Sequence, residues 1–197
     1  MNEIHQINQP NIMDVDWSKI PAPEDDGAAS HLKGMSMPPV ALLATDGSMV
    51  TLAVQKGRVV VFGYPRTGEP GKIALVDDWD MIPGARGCTP QTCSFRDLFG
   101  ELKAAGASAV FGLSTQSPEY QKAMTDRLHV PFPVLSDDKL ELSKALNLPR
   151  MDVAGLTMIK RLALIVDDGR ISHVFYPVFP PDQNAADVLA WLQANPR

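Results

Sequence analysis

Cysteine is scarce in this chain: among 197 residues there are two, Cys88 and Cys93, five positions apart. So close a pair cannot staple a fold as the bridges of small secreted domains do, and redox or metal chemistry in a reducing compartment is its more natural use. Paired metal-ligand spacing is also missing. His5, His31, His129 and His173 are scattered, so no metal and no other cofactor is expected. Basic runs are absent: 18 Lys and Arg against 23 Asp and Glu give a net charge of -5 and a pI near 5.3. That balance excludes a face built for a phosphate backbone, and no nucleic-acid partner is expected. No apolar stretch approaches a membrane-spanning length. MNEIHQINQPNIMDVDWSKI, at the start, has neither the basic opening nor the apolar run of a secretory signal, so no membrane contact and a cytoplasmic location are expected.

What is present is an ordinary globular composition, 45% hydrophobic and 21% charged, in a length suited to one domain. Residues 1–36 mix Asn, Gln, Asp, Pro and Ser with isolated apolar residues and read as an arm or linker; the compact domain is expected over 37–197. PVALLATDGSMVTL alternates around Asp46-Gly47 and predicts an edge hairpin; GRVVVFGY and SAVFGLS predict buried strands. Thr89 and Pro90 supply a helix start. Phe95, Leu98, Phe99 and Leu102 then make one apolar face of a single helix ending at Gly106. Ser117-Pro118-Glu119 opens another helix, FPVL is a short strand, and DDKLELSKALNL a further helix. Residues 161–166 and 171–176 form a second hairpin through DDGR. The last helix has Ala185, Val188, Leu189 and Leu192 on one side, with Asp182 or Asn184 as its cap. The order predicts an α/β sandwich with a mixed central sheet.

Cys88 thus falls at or just before a helix N-terminus. Unsatisfied backbone donors and positive partial charge there favour thiolate over thiol, and the thiolate is the nucleophile. Cys93 would lie more than a turn further on, too far for a direct bridge, so a Cys88–Cys93 disulfide requires the first turn to unwind. Between Pro65 and Gly87 runs a Pro- and Gly-rich loop longer than most connections, and such loops are often functional.

GCTPQTCSFRD, following a buried strand and a Tyr-Pro pair, resembles the active-site segment of the peroxiredoxin superfamily, in particular the peroxiredoxin Q or bacterioferritin comigratory protein class. GLSTQSPEYQKAM, FPVLSDDKLELSKALNL and KRLALIVDDGRI extend the likeness, in order, over roughly residues 38–195. The resemblance implies a thioredoxin-like fold and a thiol peroxidase acting on hydrogen peroxide and organic hydroperoxides. It implies Cys88 as peroxidatic cysteine, Cys93 as resolving cysteine, Arg161 as the arginine supporting thiolate and transition state, and Gln91 as the family's polar residue. A thioredoxin-like dithiol would recycle the pair, in a monomer or homodimer.

The chain departs from the family pattern in one respect. Proline seven, and Thr or Ser three, positions before the peroxidatic cysteine are here Met81 and Ala85; Pro65 stands 23 positions before Cys88, as though about 16 residues were inserted. Substrate contact is therefore expected from Thr67 folding back, or from Arg86 and the backbone around Ala85, Gly87 and Thr89, with Thr89 also a possible cap. Arg96 and Asp97 read as a solvated surface pair. A redox sensor or redox-regulated binding protein using the same cysteines is the alternative function; a Cys-x-x-Cys oxidoreductase and a copper carrier fit the residues less well.

Overall fold

The computed structural model describes residues 15–197; the beginning of the arm, with His5, lies outside the described residues. Among the described residues nine strands are formed: β1 (Ala41–Ala44), β2 (Met49–Thr51), β3 (Arg58–Gly63), β4 (Ala107–Ser114), β5 (Val134–Ser136), β6 (Arg150–Val153), β7 (Leu156–Ile159), β8 (Leu162–Asp167) and β9 (Arg170–Phe175). Five α-helices accompany them: α1 (Cys88–Asp97), α2 (Phe99–Ala104), α3 (Pro118–Leu128), α4 (Glu141–Ala145) and α5 (Asn184–Ala194). Seven strands make one mixed sheet in the order β2-β1-β5-β4-β3-β8-β9, with β3 parallel to β4 and antiparallel to β8.

β3 is apolar from Val59 onward because both of its faces are covered. Its period-2 alternation sends Val59 and Val61 into a cluster with Leu42, Leu113, Leu142 and Leu164. Val60, Phe62 and the following Tyr64 enter a second cluster with Cys88, Phe95, Leu102, Met124, Val188 and Leu192. In that second layer Phe62 stacks on Phe95 with centroids 4.1 Å apart and meets Phe132 edge-on at 5.7 Å. The aromatic group fixes α1, and hence Cys88, against the middle of the sheet.

Both predicted hairpins form. β1 and β2 lie at the sheet edge, joined by a turn in which Asp46 accepts hydrogen bonds from the Ser48 amide and hydroxyl. β8 and β9 are joined through Asp168 and Gly169, whose positive φ values of 47° and 79° suit a tight primed turn. Ser117 caps α3 by accepting from the Tyr120 amide.

Several local expectations are corrected. The helix expected to run on to Gly106 breaks at Leu98, so α1 and α2 are separate although Leu98 and Phe99 still pack on the core. Only Glu141–Ala145 of DDKLELSKALNL is helical; Asp137 accepts from the Leu142 and Ser143 amides and so serves the exposed donors of its first turn. Neither Asp182 nor Asn184 caps α5. A 3-10 turn, Pro181–Gln183, leads into it, and those two side chains bond elsewhere. The hairpin of β6 and β7 was not foreseen. Part of the expected arm also belongs to the packed body. Ala29 and Leu32 are buried in the first cluster, and the Met35 carbonyl accepts from the Ile171 amide of the β8–β9 hairpin. Among the described residues no helix is long and apolar enough to cross a membrane.

Candidate active site

Cys88 is the first residue of α1, and Gly87 before it takes φ +102°. A Cβ on Gly87 would lie 2.6 Å from Pro181 Cγ and 2.7 Å from Trp17 Cη2, so only glycine fits this cap. Thr89 therefore does not cap; it sits within the first turn. Pro90 has no amide, and the Gln91 amide already donates to the Gly87 carbonyl. The Cys88 and Thr89 amides remain as the free donors of the helix start.

Arg161 immediately precedes β8 and is 2% exposed. Its Nη2 lies 3.4 Å from Cys88 Sγ and also donates to the Arg86, Ala85 and Gly84 carbonyls at 2.9, 3.3 and 3.2 Å. Nη1 donates to Gln91 Oε1 at 2.5 Å, and Nε has no partner among the described residues. Every acceptor around the guanidinium, among the described residues, is neutral, so the sulfur is the group on which its charge is free to act. Cys88 as a thiol donates to the Ala85 carbonyl at 3.5 Å. Tyr64, fully buried beside this sulfur, donates to Gln121 Oε1 at 3.0 Å; burial first, and the neighbouring Cys88 second, hold its hydroxyl protonated well above the usual tyrosine value.

A cleft of about 190 Å³ opens at Cys88, lined in part by Thr67, Trp79, Arg86, Gly87, Cys88 and Thr89. The loop from Pro65 to Gly87 thus returns Thr67 to the cysteine. Its hydroxyl donates to Gln116 Oε1 at 3.2 Å, and the same amide binds the Thr67 backbone in both directions. Ala85 contributes a carbonyl and a buried methyl. The Arg86 side chain turns away to an ion pair with Asp80, which corrects the expectation that its guanidinium replaces the missing hydroxyl at the sulfur; only its carbonyl reaches Arg161. Trp79, from the same loop, is a cleft wall.

Cys93 lies on the same helix, buried and reduced. The rise between the two cysteines is about 7.5 Å on an intact helix, so their sulfurs cannot join without unwinding it. Burial pushes the Cys93 thiol up, and nearby Arg96 offsets part of that. Arg96 itself pairs with Asp97 at 2.8 Å on the surface, as the sequence suggests. Asn184 was missed in any role but capping: it is 1% exposed, and its Oδ1 accepts from Gln91 Nε2 at 2.9 Å. No local signal ties residues so far apart in sequence. No cluster of His, Cys, Asp and Glu able to hold a metal occurs among the described residues.

A cysteine at a helix start, faced by a buried arginine without a carboxylate partner, defines a thiol-based redox site. The Redoxin family matches residues 32–189, and the chain belongs to that family; it is a peroxiredoxin with a thioredoxin-like fold. Within the family it falls in the peroxiredoxin Q/Bcp class. It is 31% identical over 167 residues to a chloroplastic peroxiredoxin Q of Sedum lineare, covering 84% of this chain and 80% of that one. With peroxiredoxin Bcp of Escherichia coli (strain K12) the identity is 32% over 163 residues, covering 80% and 93%. The crystal structure of peroxidoxin BcpB from Mycobacterium tuberculosis superposes with a TM-score of 0.67 at 26% identity, covering 85% of this chain and 100% of that one.

Proposed function

We infer that this peroxiredoxin reduces hydrogen peroxide and organic hydroperoxides at Cys88 and resolves the product through Cys93. The observation that carries the reading is the 3.4 Å approach of Arg161 to Cys88 Sγ with only neutral groups competing for its charge. The thiolate attacks one peroxide oxygen; the O–O bond breaks, and the departing hydroxide or alkoxide takes a proton to leave as water or alcohol. Cys88 becomes a sulfenic acid. Arg161 favours the thiolate beforehand and the developing negative oxygen during attack, which is the electrostatic help such a step needs. Thr67 and the free amides of the first turn, on the cleft side, orient the peroxide.

The first turn of α1 then unwinds. Cys93 loses its proton on exposure, and its thiolate attacks Cys88 Sγ, expelling hydroxide and forming the disulfide. A thioredoxin-like dithiol exchanges with that bond and restores both thiols. Cys88→Ser should abolish peroxide consumption. Cys93→Ser should complete one turnover and then stall with thioredoxin and its reductase; full steady-state turnover by Cys93→Ser would remove the resolving role.

A second reading rests on the same unwinding: reduced and oxidised forms display different surfaces at the start of α1, as a redox-regulated binding protein would. Sustained turnover with an added dithiol distinguishes the peroxidase from a protein that responds once per oxidation.

A further inference from the structure

We propose that Asn184, at the start of α5, is a positioning residue for the peroxide reaction: it locks the Gln91 side-chain amide in the orientation that fixes the Arg161 guanidinium on Cys88. The inference rests on the peroxidase reading above and extends it to a residue outside the cysteine helix and the arginine strand.

Arg161 Nη2 has two hydrogens and four acceptors within 3.4 Å: Cys88 Sγ and the carbonyls of Gly84, Ala85 and Arg86. Which acceptors it serves depends on the rotation of the guanidinium plane. That rotation is set at the other nitrogen, where Nη1 donates to Gln91 Oε1 at 2.5 Å. A glutamine side chain accepts there only with its oxygen turned toward Arg161; turned the other way, it would set its own NH2 against an arginine NH2. Asn184 Oδ1, 2.9 Å from Gln91 Nε2, favours the first orientation, because this oxygen accepts the Gln91 NH2 and cannot donate to a Gln91 oxygen turned toward it. Gln91 is fully buried and Asn184 is 1% exposed, so water offers Gln91 Nε2 little substitute.

The relay is also neutral. A carboxylate at either position would satisfy the same geometry while competing with the thiolate for the arginine's charge. Glutamine and asparagine position Arg161 without that competition. The other titratable or charged groups near Cys88 are Tyr64 after β3 and the Arg86–Asp80 pair of the loop. From the turn before α5, Asp182 accepts from Trp17 Nε1 at 2.9 Å. Among the described residues, none of their side chains accepts a hydrogen bond from the Arg161 guanidinium.

The test measures oxidation of Cys88 by hydrogen peroxide against pH, by stopped flow on full-length protein, in wild type, Asn184→Ala, Asn184→Asp, Gln91→Leu and the Gln91→Leu/Asn184→Ala double variant. At high pH every Cys88 is thiolate, and the plateau rate constant reports the arginine's placement. Asn184→Ala should lower that plateau roughly tenfold, as misplacement of a positioned group does. In the Gln91→Leu background the same change should cost less than about twofold, because the two residues act as one unit. Asn184→Asp keeps the acceptor, so its plateau should stay within about threefold of wild type while its pH profile moves upward.

An unchanged plateau in Asn184→Ala, or an equal loss in both backgrounds, overturns the proposal. Should Asn184→Ala not fold, a roughly tenfold plateau loss in Asn184→Asp overturns it instead, since the acceptor alone is then insufficient. If wild-type Cys88 itself fails to react with peroxide, the peroxidase reading has failed and not merely this extension of it.

Discussion

Arg161→Met removes the charge next to Cys88 while keeping a flexible, apolar side chain of similar length. The lost contact is a 3.4 Å charge-assisted hydrogen bond to a buried sulfur, with no carboxylate sharing the guanidinium. Hydrogen bonds to charged groups contribute about 1.5–3 kcal/mol net. At 1.36 kcal/mol per factor of ten, the peroxide rate constant near pH 7 should fall roughly 10- to 150-fold. Arg161→Lys separates charge from geometry. One ammonium cannot bind both Gln91 Oε1 and the sulfur as the planar guanidinium does, so lysine should recover part of the loss but not all. Trp79, in the wall of the Cys88 cleft, supplies a fluorescence signal for stopped-flow oxidation. A rate for Arg161→Met within about twofold of wild type, in a folded variant, would refute the assignment, because a contact of this class cannot be worth so little.

Gly87→Ala must place a methyl against Pro181 and Trp17 at a residue with φ +102°; strain and overpacking together should cost about 3 kcal/mol and lower Tm by roughly 6–12 °C in calorimetry. Phe62→Ala empties the centre of the aromatic group between sheet and α1 and should cost about 3–5 kcal/mol in urea unfolding. Asp26 accepts from Lys160 at 2.6 Å and from Tyr176 at 2.7 Å, and Lys160 first, then Tyr176, holds its carboxyl far below the ordinary 3.8. A depressed carboxylate favours the docked arm fully above that ordinary value and loses its contribution as pH falls below it. Trp17 fluorescence should therefore report arm loosening as pH drops through the acid range, and Asp26→Asn should remove much of that dependence.

The central layer was legible because its signals are local. Six consecutive buried residues in β3, the Ser117-Pro118 start of α3 and the Asp-Gly turns each declare themselves within a few positions. Cys88 was legible for the same reason, lying between a glycine and a helix-forming stretch. The break at Leu98 was not: the apolar spacing from Phe95 to Leu102 continues across it, and no Gly or Pro stands at Leu98. The β6–β7 hairpin has no clean alternation and leaves Leu156 exposed, so little in its composition marks two strands. Ala29 and Leu32 lie in a stretch without apolar periodicity, and only the sheet they cover makes them core. In the site, Thr67 was anticipated as a residue folding back, whereas the Arg86–Asp80 pairing and the Asn184–Gln91 contact depend on how the loop and α5 meet in space.

The most direct measurement is oxidation of the reduced protein by one equivalent of hydrogen peroxide, stopped in time and followed by intact mass and peptide mapping. The proposed chemistry predicts a fast loss of two protons' mass with a Cys88–Cys93 link, and no such product from Cys88→Ser. Slow oxidation without that link in the wild-type protein would contradict it.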